Sequence, residues 1–206
     1  MKVLDLFSGL GGFSEAFLRS GDEVVRVENN PLLSEVPNTT IQDVKEMRDR
    51  LVRFKEEGHP IRKVDVVLAS PPCYEFSLAF SAPRAIASRN GTIDEYQPNM
   101  QLVELAIEII QILKPGYWII ENVVGSIRYF KDIGLIPSQI HDAFVLFGKF
   151  PKFETPIGMP SKAQKDSFHG DPLRANKRAL IPLELSMAIR EAIVSQKTLF
   201  DDYNIA

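Results

Sequence analysis

Near its start the chain reads Val3-Leu4-Asp5-Leu6-Phe7-Ser8-Gly9-Leu10-Gly11-Gly12, and this stretch decides the fold. A short apolar run meets a glycine-rich turn, and an amphipathic stretch over residues 13–19 follows. That order predicts a strand, a tight turn and a helix. Because glycine has no Cβ atom, the backbone of this turn can approach a ligand closely, and a nucleoside-bearing cofactor would fit there.

The alternation of strand and helix continues along the chain. Further strands are predicted at residues 23–28, 64–69, 117–120 and 143–147, and helices at 45–57, 100–113 and 181–194. This order indicates an α/β fold of the Rossmann-like type, with a mostly parallel sheet and helices on both faces. We expect one domain over residues 1–206, with a mobile loop at about 74–98 and an irregular basic segment at about 149–180.

Composition narrows the class of protein. The chain has one cysteine, so it forms no internal disulfide and holds no multi-thiolate zinc site, and we expect no metal. It shows neither a long apolar run nor a basic leader, so we expect a cytoplasmic protein, prokaryotic or viral in a host cell, without a membrane partner. The net charge of -3 argues against a nucleic-acid partner. Residues 125–182, however, carry nine Lys and Arg against five Asp and Glu, either as a phosphate-binding face or as an ordinary solvated surface.

Polar side chains follow three of the predicted strands. Glu28 ends the second strand, where it could accept hydrogen bonds from ribose hydroxyls, as it also would in a nicotinamide-dependent oxidoreductase. Pro71-Pro72 direct Cys73 into a cleft just beyond a strand, although a lone cysteine is more often a small buried apolar residue. Glu121 ends the next strand and could hydrogen-bond a ring nitrogen while a thiolate attacks; alternatively it is an acid at a helix N-terminus.

Three motifs in this order resemble the DNA cytosine-5 methyltransferase family. They are Asp5-Leu6-Phe7-Ser8-Gly9-Leu10-Gly11-Gly12-Phe13-Ser14, then Pro71-Pro72-Cys73 with Phe76-Ser77, and Glu121-Asn122-Val123. The resemblance implies the fold of S-adenosylmethionine-dependent methyltransferases, in a short form that lacks a sizeable target-recognition region. It also implies that the catalytic residues are Cys73, Glu121 and Asn122, with Asn122 holding the local turn.

The resemblance implies a set of cofactor-binding residues as well. Those for S-adenosylmethionine are Phe7, Gly9, Gly11, Gly12, Glu28, Asn29, Asp43, Val44, Pro71 and Leu102. Glu28 would meet the ribose and Asp43 the adenine amine, while Asp43 could equally be the N-cap of the helix at 45–57.

By the same resemblance, the substrate is cytosine in DNA, flipped from the duplex or single-stranded. Cys73 would add to carbon 6 and thereby make carbon 5 nucleophilic toward the methyl donor. Candidate substrate-binding residues are Ser77, Arg128, His141, Lys162, Lys165, Arg174 and Arg178. A role in restriction–modification or in viral self-protection, the target sequence and the oligomeric state stay open.

The sequence departs from the family's pattern in three places. Where the family has Gln-x-Arg-x-Arg, this chain has Gln139-Ile140-His141-Asp142-Ala143, so both arginines are absent and His141 or Arg128 could replace one. Tyr74 follows the cysteine in place of the usual Gln. Only residues 149–180 stand where a target-recognition region is expected, and we therefore expect short or relaxed sequence specificity.

Three rival functions use subsets of these motifs. An RNA (tRNA) cytosine-5 methyltransferase would share the architecture, and a degenerate paralogue could bind S-adenosylmethionine and DNA without turnover. A nicotinamide-dependent oxidoreductase would explain the glycines and Glu28, but would give Cys73 and Glu121 no task.

Overall fold

The computed structural model of the chain describes residues 1–160 and 170–203. Its strands are β1 (Lys2–Leu6), β2 (Glu23–Glu28), β3 (Thr39–Ile41), β4 (Val66–Ala69), β5 (Tyr117–Asn122), β6 (Pro137–His141) and β7 (Phe144–Lys149). Its helices are α1 (Glu15–Arg19), α2 (Val44–Glu56), α3 (Pro83–Arg89), α4 (Gln101–Leu113), α5 (Ile127–Asp132), α6 (Arg174–Arg178) and α7 (Leu183–Tyr203). Short 3-10 turns occupy Pro31–Leu33, Tyr74–Phe76 and Val124–Ser126.

Within the described ranges, the strands form one sheet in the order β3-β2-β1-β4-β5-β7-β6. The five strands from β3 to β5 run parallel, and β7 runs antiparallel to both β5 and β6. In the sheet, β2 and β3 lie on one side of β1, whereas β4 and β5 lie on its other side. The strand order therefore reverses between β1 and β4, the place where open α/β sheets bind ligands.

Helices cover both faces of this sheet. Successive side chains of a strand point to opposite faces, and because the central strands carry apolar residues on both, both faces must be shielded from water. On one face, Leu4, Val67 and Ile120 pack against α2, α4 and α5. On the other, Val3, Leu68 and Ile119 pack against α1 and α7, and Phe144 and Leu146 extend that core. The Rossmann-like α/β fold predicted from the sequence is thereby confirmed.

Local prediction succeeded where the apolar pattern is strong. The strand at 23–28 matches β2, and the helix at 100–113 matches α4, which ends as Lys114 takes a left-handed conformation with φ 47°. The short strands β3 and β6 were not predicted. The segment 74–98 was expected to be loop and contains α3, while α6 interrupts the segment 149–180. Both expectations of irregular structure were thus partly wrong, whereas mobility remains a prediction.

The described residues contain neither a candidate membrane-spanning helix nor a candidate metal site. None of their helices combines the length and hydrophobicity that crossing a bilayer requires. They contain no group of three or more His, Cys, Asp or Glu side chains that could hold a metal ion.

Candidate active site

The glycine-rich turn links β1 to α1 at the point where the strand order reverses. Phe7, Gly9 and Gly11 have positive φ angles of 57°, 53° and 79°. A bulky residue such as Phe7 rarely adopts this conformation, and local strain of this kind is concentrated at functional sites. An ideal Cβ on Gly12 would lie 2.4 Å from the carbonyl oxygen of Ile181, so glycine is required here for packing within the chain as well.

Glu28 ties the end of β2 to this turn. Its Oε2 accepts a hydrogen bond from the backbone N–H of Gly9 at 2.8 Å, and its Oε1 accepts from the N–H groups of Asn29 and Asn30, both at 3.0 Å. The residue is only 8% exposed. The carboxylate predicted to meet a ribose therefore lies beside the turn, where it also holds the backbone of Gly9.

A buried polar network, which the motifs did not predict, lies beneath the same turn. The hydroxyl of Ser14 donates to Asp5 at 2.6 Å and accepts from the Nε of Arg26 at 2.9 Å. Arg26 also donates to the carbonyl of Gly11 at 2.8 Å and pairs with Glu15 at 2.9 Å. Burial raises the pKa of Asp5 from 3.8 to about 7, against the lowering effects of the Ser14 hydrogen bond and the Arg26 charge. The network fixes the turn from below, because Arg26 passes directly under Gly11.

Two buried hydroxyl groups flank the point where the strand order reverses. Ser8 follows β1 and Ser70 follows β4, and neither Oγ atom has a hydrogen-bond partner among the described residues. The backbone N–H of Ser70 donates to the carbonyl of Leu6 at 3.1 Å, which places the two strand ends side by side. Unsatisfied buried polar atoms are rare in proteins, and a polar ligand in this cleft could complete their hydrogen bonding.

The cysteine loop and the end of β5 are joined by a buried hydrogen bond. The amide of Asn122 donates to the carbonyl of Pro71 at 3.0 Å, while its Oδ1 accepts from the N–H of Val123 at 2.9 Å. Because β4 and β5 are neighbours in register, the loop carrying Cys73 and the strand end carrying Glu121 share one edge of the sheet. Cys73 is partly exposed and Glu121 is 6% exposed. The thiol is thus not sealed in the interior.

Asp43 and Leu102 mark the ends of helices at this edge. The carboxylate of Asp43 accepts from the backbone N–H of Lys45 at 2.7 Å, so Asp43 is the N-cap of α2. Val44, the first residue of that helix, is buried. Leu102 lies in the first turn of α4 and is 38% exposed. Their contacts with a cofactor remain predictions.

Contacts within the segment 74–98 fold it back on itself. The hydroxyl of Tyr96 donates to the carboxylate of Glu75 at 2.5 Å, which ties the two ends of the segment together. Arg84 donates to the carbonyl of Phe76 at 3.4 Å, and its guanidinium nitrogen lies 2.7 Å from the ideal Cβ position of Gly125. The sequence analysis missed Arg84, which brings a cation to the turn after β5.

The candidate substrate-binding residues are scattered. Arg128 pairs with Asp94 at 3.3 Å and is exposed. His141 is 2% exposed, its Nδ1 lies 2.8 Å from the hydroxyl of Thr155, and its ring stacks on Phe153 with centroids 4.6 Å apart. Burial lowers the pKa of His141. The alternative of a surface histidine is therefore wrong, since this side chain packs inside.

The remaining candidates differ in position. The hydroxyl of Ser77 accepts from the N–H of Ala79 at 3.0 Å, a local turn contact. Arg174 and Arg178 bound α6, whose Asn176 amide lies 3.6 Å from the ideal Cβ position of Gly9. This short helix thus covers the glycine-rich turn, and Asn176 is a site residue that the sequence analysis missed. Lys162 and Lys165 lie outside the described residues.

Comparisons with a family model and with known proteins match more than half of this chain. Residues 1–130 match the family model for C-5 cytosine-specific DNA methylase. A type II methyltransferase of Haemophilus parahaemolyticus is 30% identical over 155 residues, which cover 72% of this chain and 38% of that protein. A type II methyltransferase of Herpetosiphon aurantiacus is 26% identical over 129 residues, or 60% of this chain and 90% of that protein.

Among solved structures, a DNA modification methyltransferase encoded within an E. coli prophage aligns with a TM-score of 0.45 at 21% identity. The alignment covers 72% of this chain and 45% of that one. This chain spans less than half of the length of the first relative named above.

Proposed function

Because the chain belongs to the C-5 cytosine-specific DNA methylase family, we propose that it methylates carbon 5 of cytosine in DNA with S-adenosylmethionine as donor. The observation that carries this proposal is the hydrogen bond from Asn122 to Pro71. It joins the loop of the only cysteine to the strand end of Glu121, so the proposed nucleophile and the proposed acid lie at the same edge of the sheet. A nicotinamide-dependent oxidoreductase would have no use for that arrangement.

The cleft at the ends of β1, β2 and β4 suits S-adenosylmethionine. Glu28 offers a carboxylate beside the glycine-rich turn, and the hydroxyls of Ser8 and Ser70 lack partners among the described residues. Ribose hydroxyls and the amino and carboxylate groups of a methionine moiety have the donors and acceptors that these atoms need. Asn176, whose amide lies 3.6 Å from the ideal Cβ position of Gly9, and Asp43 would then also contact the cofactor.

In the proposed reaction, the thiolate of Cys73 forms a bond to carbon 6 of a cytosine that has left the base stack. The ring electrons move to carbon 5, and Glu121 stabilises the adduct by hydrogen bonds at ring nitrogen 3 and the exocyclic amine. S-adenosylmethionine, when bound, supplies the methyl group that carbon 5 accepts. A base then removes the proton from carbon 5, the carbon–sulfur bond to Cys73 breaks, and the aromatic ring is restored. Asn122 keeps Cys73 in place through its contact with Pro71.

The type II names of the relatives support a role in restriction–modification as part of the proposal. Short or relaxed sequence specificity also belongs to it, since only a short stretch separates β7 from α7. Bisulfite sequencing of plasmid methylated by the protein will reveal the target. Modification confined to one site of six or more base pairs would contradict relaxed specificity.

Trapping with 5-fluorocytosine tests the chemistry. Fluorine at carbon 5 cannot leave as a proton does, so the adduct with Cys73 should persist on a denaturing gel when S-adenosylmethionine is present. Cys73→Ser should form no adduct while its affinity for S-adenosylmethionine in calorimetry stays unchanged, because the cofactor residues are untouched. A wild-type protein that binds the cofactor and traps neither DNA nor tRNA would refute the proposal, and trapping of tRNA alone would show that the substrate is RNA.

A further inference from the structure

The turns that follow β4 and β5 touch each other at one glycine. Residues 73–76 form the nucleophile turn, and Val124–Ser126 form the acid turn, which follows Glu121 by three residues. An ideal Cβ on Gly125 would lie only 2.1 Å from the carbonyl oxygen of Phe76. The backbones of the two turns therefore meet without a side chain between them.

Phe76 fixes the far end of the nucleophile turn. Its side chain is 1% exposed, and its ring lies edge-on against Phe130 with centroids 5.2 Å apart. Its backbone N–H donates to the carbonyl of Cys73 at 3.0 Å. The position of Cys73 thus depends on where the backbone of Phe76 is held.

Arg84 lies at the contact between the two turns. Its Nη1 donates to the carbonyl of Phe76 at 3.4 Å and lies 2.7 Å from the ideal Cβ position of Gly125. Arg84 belongs to the first turn of α3, where the neighbouring Ala82 and Ala85 are buried. The guanidinium group therefore reaches both turns from a backbone that is itself packed against the protein.

Within the described part of the chain, the charge of Arg84 is not compensated. Arg84 belongs to none of the ion pairs there, and its buried Nε has no hydrogen-bond partner. Arg128, in contrast, pairs with Asp94, and burial lowers the pKa of His141. A buried donor without a partner is costly, so a role in the reaction explains Arg84 better than stability alone.

We propose that Arg84 is a positioning residue, whose guanidinium group holds the nucleophile turn against the acid turn and so keeps Cys73 at its place opposite Glu121. This inference rests on the proposed function. The hydrogen bond from Asn122 to Pro71 joins the same two loops before the cysteine, and Arg84 joins them after it. Two such contacts matter because a displacement of about 1 Å in an active site can lower a rate about 100-fold.

The rate of trapping on 5-fluorocytosine DNA, measured with saturating S-adenosylmethionine, tests this role. Arg84→Met keeps the length of the side chain but removes its donors and charge, and should lower the rate constant at saturating DNA about 10- to 100-fold. Arg84→Lys should recover part of the rate, because an ammonium group can donate to the carbonyl of Phe76 but cannot span both turns as the planar guanidinium does.

Two further measurements separate positioning from a general loss of structure. The final amount of adduct formed by Arg84→Met should equal that of the wild type, because a misfolded fraction would lower the amount of adduct and not the rate constant. Its affinity for S-adenosylmethionine in calorimetry should also be unchanged.

Gly125→Ala tests the same contact from the acid turn. The new Cβ would lie 2.1 Å from the carbonyl of Phe76, so the two turns must separate although Arg84 is still present. The variant should slow trapping by a similar factor. Arg84→Met combined with Gly125→Ala should be about as slow as the slower single variant, since both changes break one contact. If Gly125→Ala does not fold, the two Arg84 variants decide the question by themselves.

Arg89→Met is the matched control. Arg89 lies on the same helix and also donates to a backbone carbonyl, that of Phe80 at 2.8 Å, which belongs to neither turn. This variant should leave the rate constant unchanged. The inference is overturned if Arg84→Met traps DNA as fast as the wild type, if it weakens only DNA affinity, or if Arg84→Lys is no faster than Arg84→Met. If the wild type itself does not trap DNA, the proposed function fails instead.

Discussion

Replacing Asp5 by Asn tests the buried network beneath the glycine-rich turn. Asp5 is completely buried, and burial raises its pKa from 3.8 to about 7. The carboxyl group is therefore protonated in the folded protein at pH 5 to 6, but ionised in the unfolded chain at the same pH. The amide introduced by Asp5→Asn would be neutral in both states and could still accept the hydrogen bond from Ser14.

The sign of the effect follows from these two protonation states. The folded state binds the proton more tightly, so the contribution of Asp5 to stability is fully present below about pH 4 and is lost as pH rises toward 7. The two pKa values differ by about 3 pH units, which corresponds to a total loss of ~4 kcal/mol. Between pH 5 and pH 7, the free energy of unfolding of the wild type should fall by ~2 kcal/mol relative to Asp5→Asn.

Urea unfolding of both proteins at pH 5, 6, 7 and 8 measures this difference. Burial lowers the pKa of His141, so the contribution of His141 to stability is lost as pH falls; it is present in both proteins and cancels in the comparison. Asp132→Asn, a change at an exposed carboxylate, controls for the loss of one negative charge. A wild type that gains stability relative to Asp5→Asn as pH rises would show that Asp5 is an ionised partner of Arg26, and would refute this reasoning.

Two further changes test the contacts that hold the site. Gly12→Ala should destabilise the fold by ~1–3 kcal/mol in urea unfolding, because the new Cβ would lie 2.4 Å from the carbonyl of Ile181. Gly116→Ala is its control, since that Cβ would meet nothing closer than 3.5 Å, and equal effects would contradict the packing argument. Asn122→Ala should lower the rate of adduct formation while S-adenosylmethionine still binds, because the carbonyl of Pro71 loses its buried donor. Asn122→Ala should also lower the free energy of unfolding by ~1–3 kcal/mol. An unchanged rate of adduct formation would show that Asn122 has no role in positioning Cys73.

The local pattern of apolar residues was sufficient to predict the central strands and helices of the fold. The run that forms β2 and the apolar periodicity of α4 are local properties, and the structure has both where they were predicted. In contrast, β3 and β6 have three and five residues and lie at the two edges of the sheet. Such strands exist because a neighbour pairs with them, and their own residues carry little strand signal.

The residues of the candidate site also fall into those that the sequence predicted and those that it did not. The motifs indicated Cys73, Glu121 and Glu28 because each lies at or just beyond the carboxyl end of a predicted strand, and the carboxyl ends of parallel strands lie along one edge of the sheet. They did not indicate Arg84 or Asn176, since each belongs to a short helix within a stretch that has no periodicity. Their proximity to Gly125 and Gly9 arises from how these segments fold back over the sheet.

By itself, the sequence determined the order of the central strands and helices, and therefore which polar residues of the motifs reach the edge of the sheet. Only the tertiary structure decided that Arg26 passes under Gly11, that Asp5 is buried next to Ser14, and that Gly12 faces Ile181. The physical reason is range: backbone propensity and apolar periodicity act over a few residues, whereas burial and its effect on pKa depend on which distant segments the sheet brings into contact.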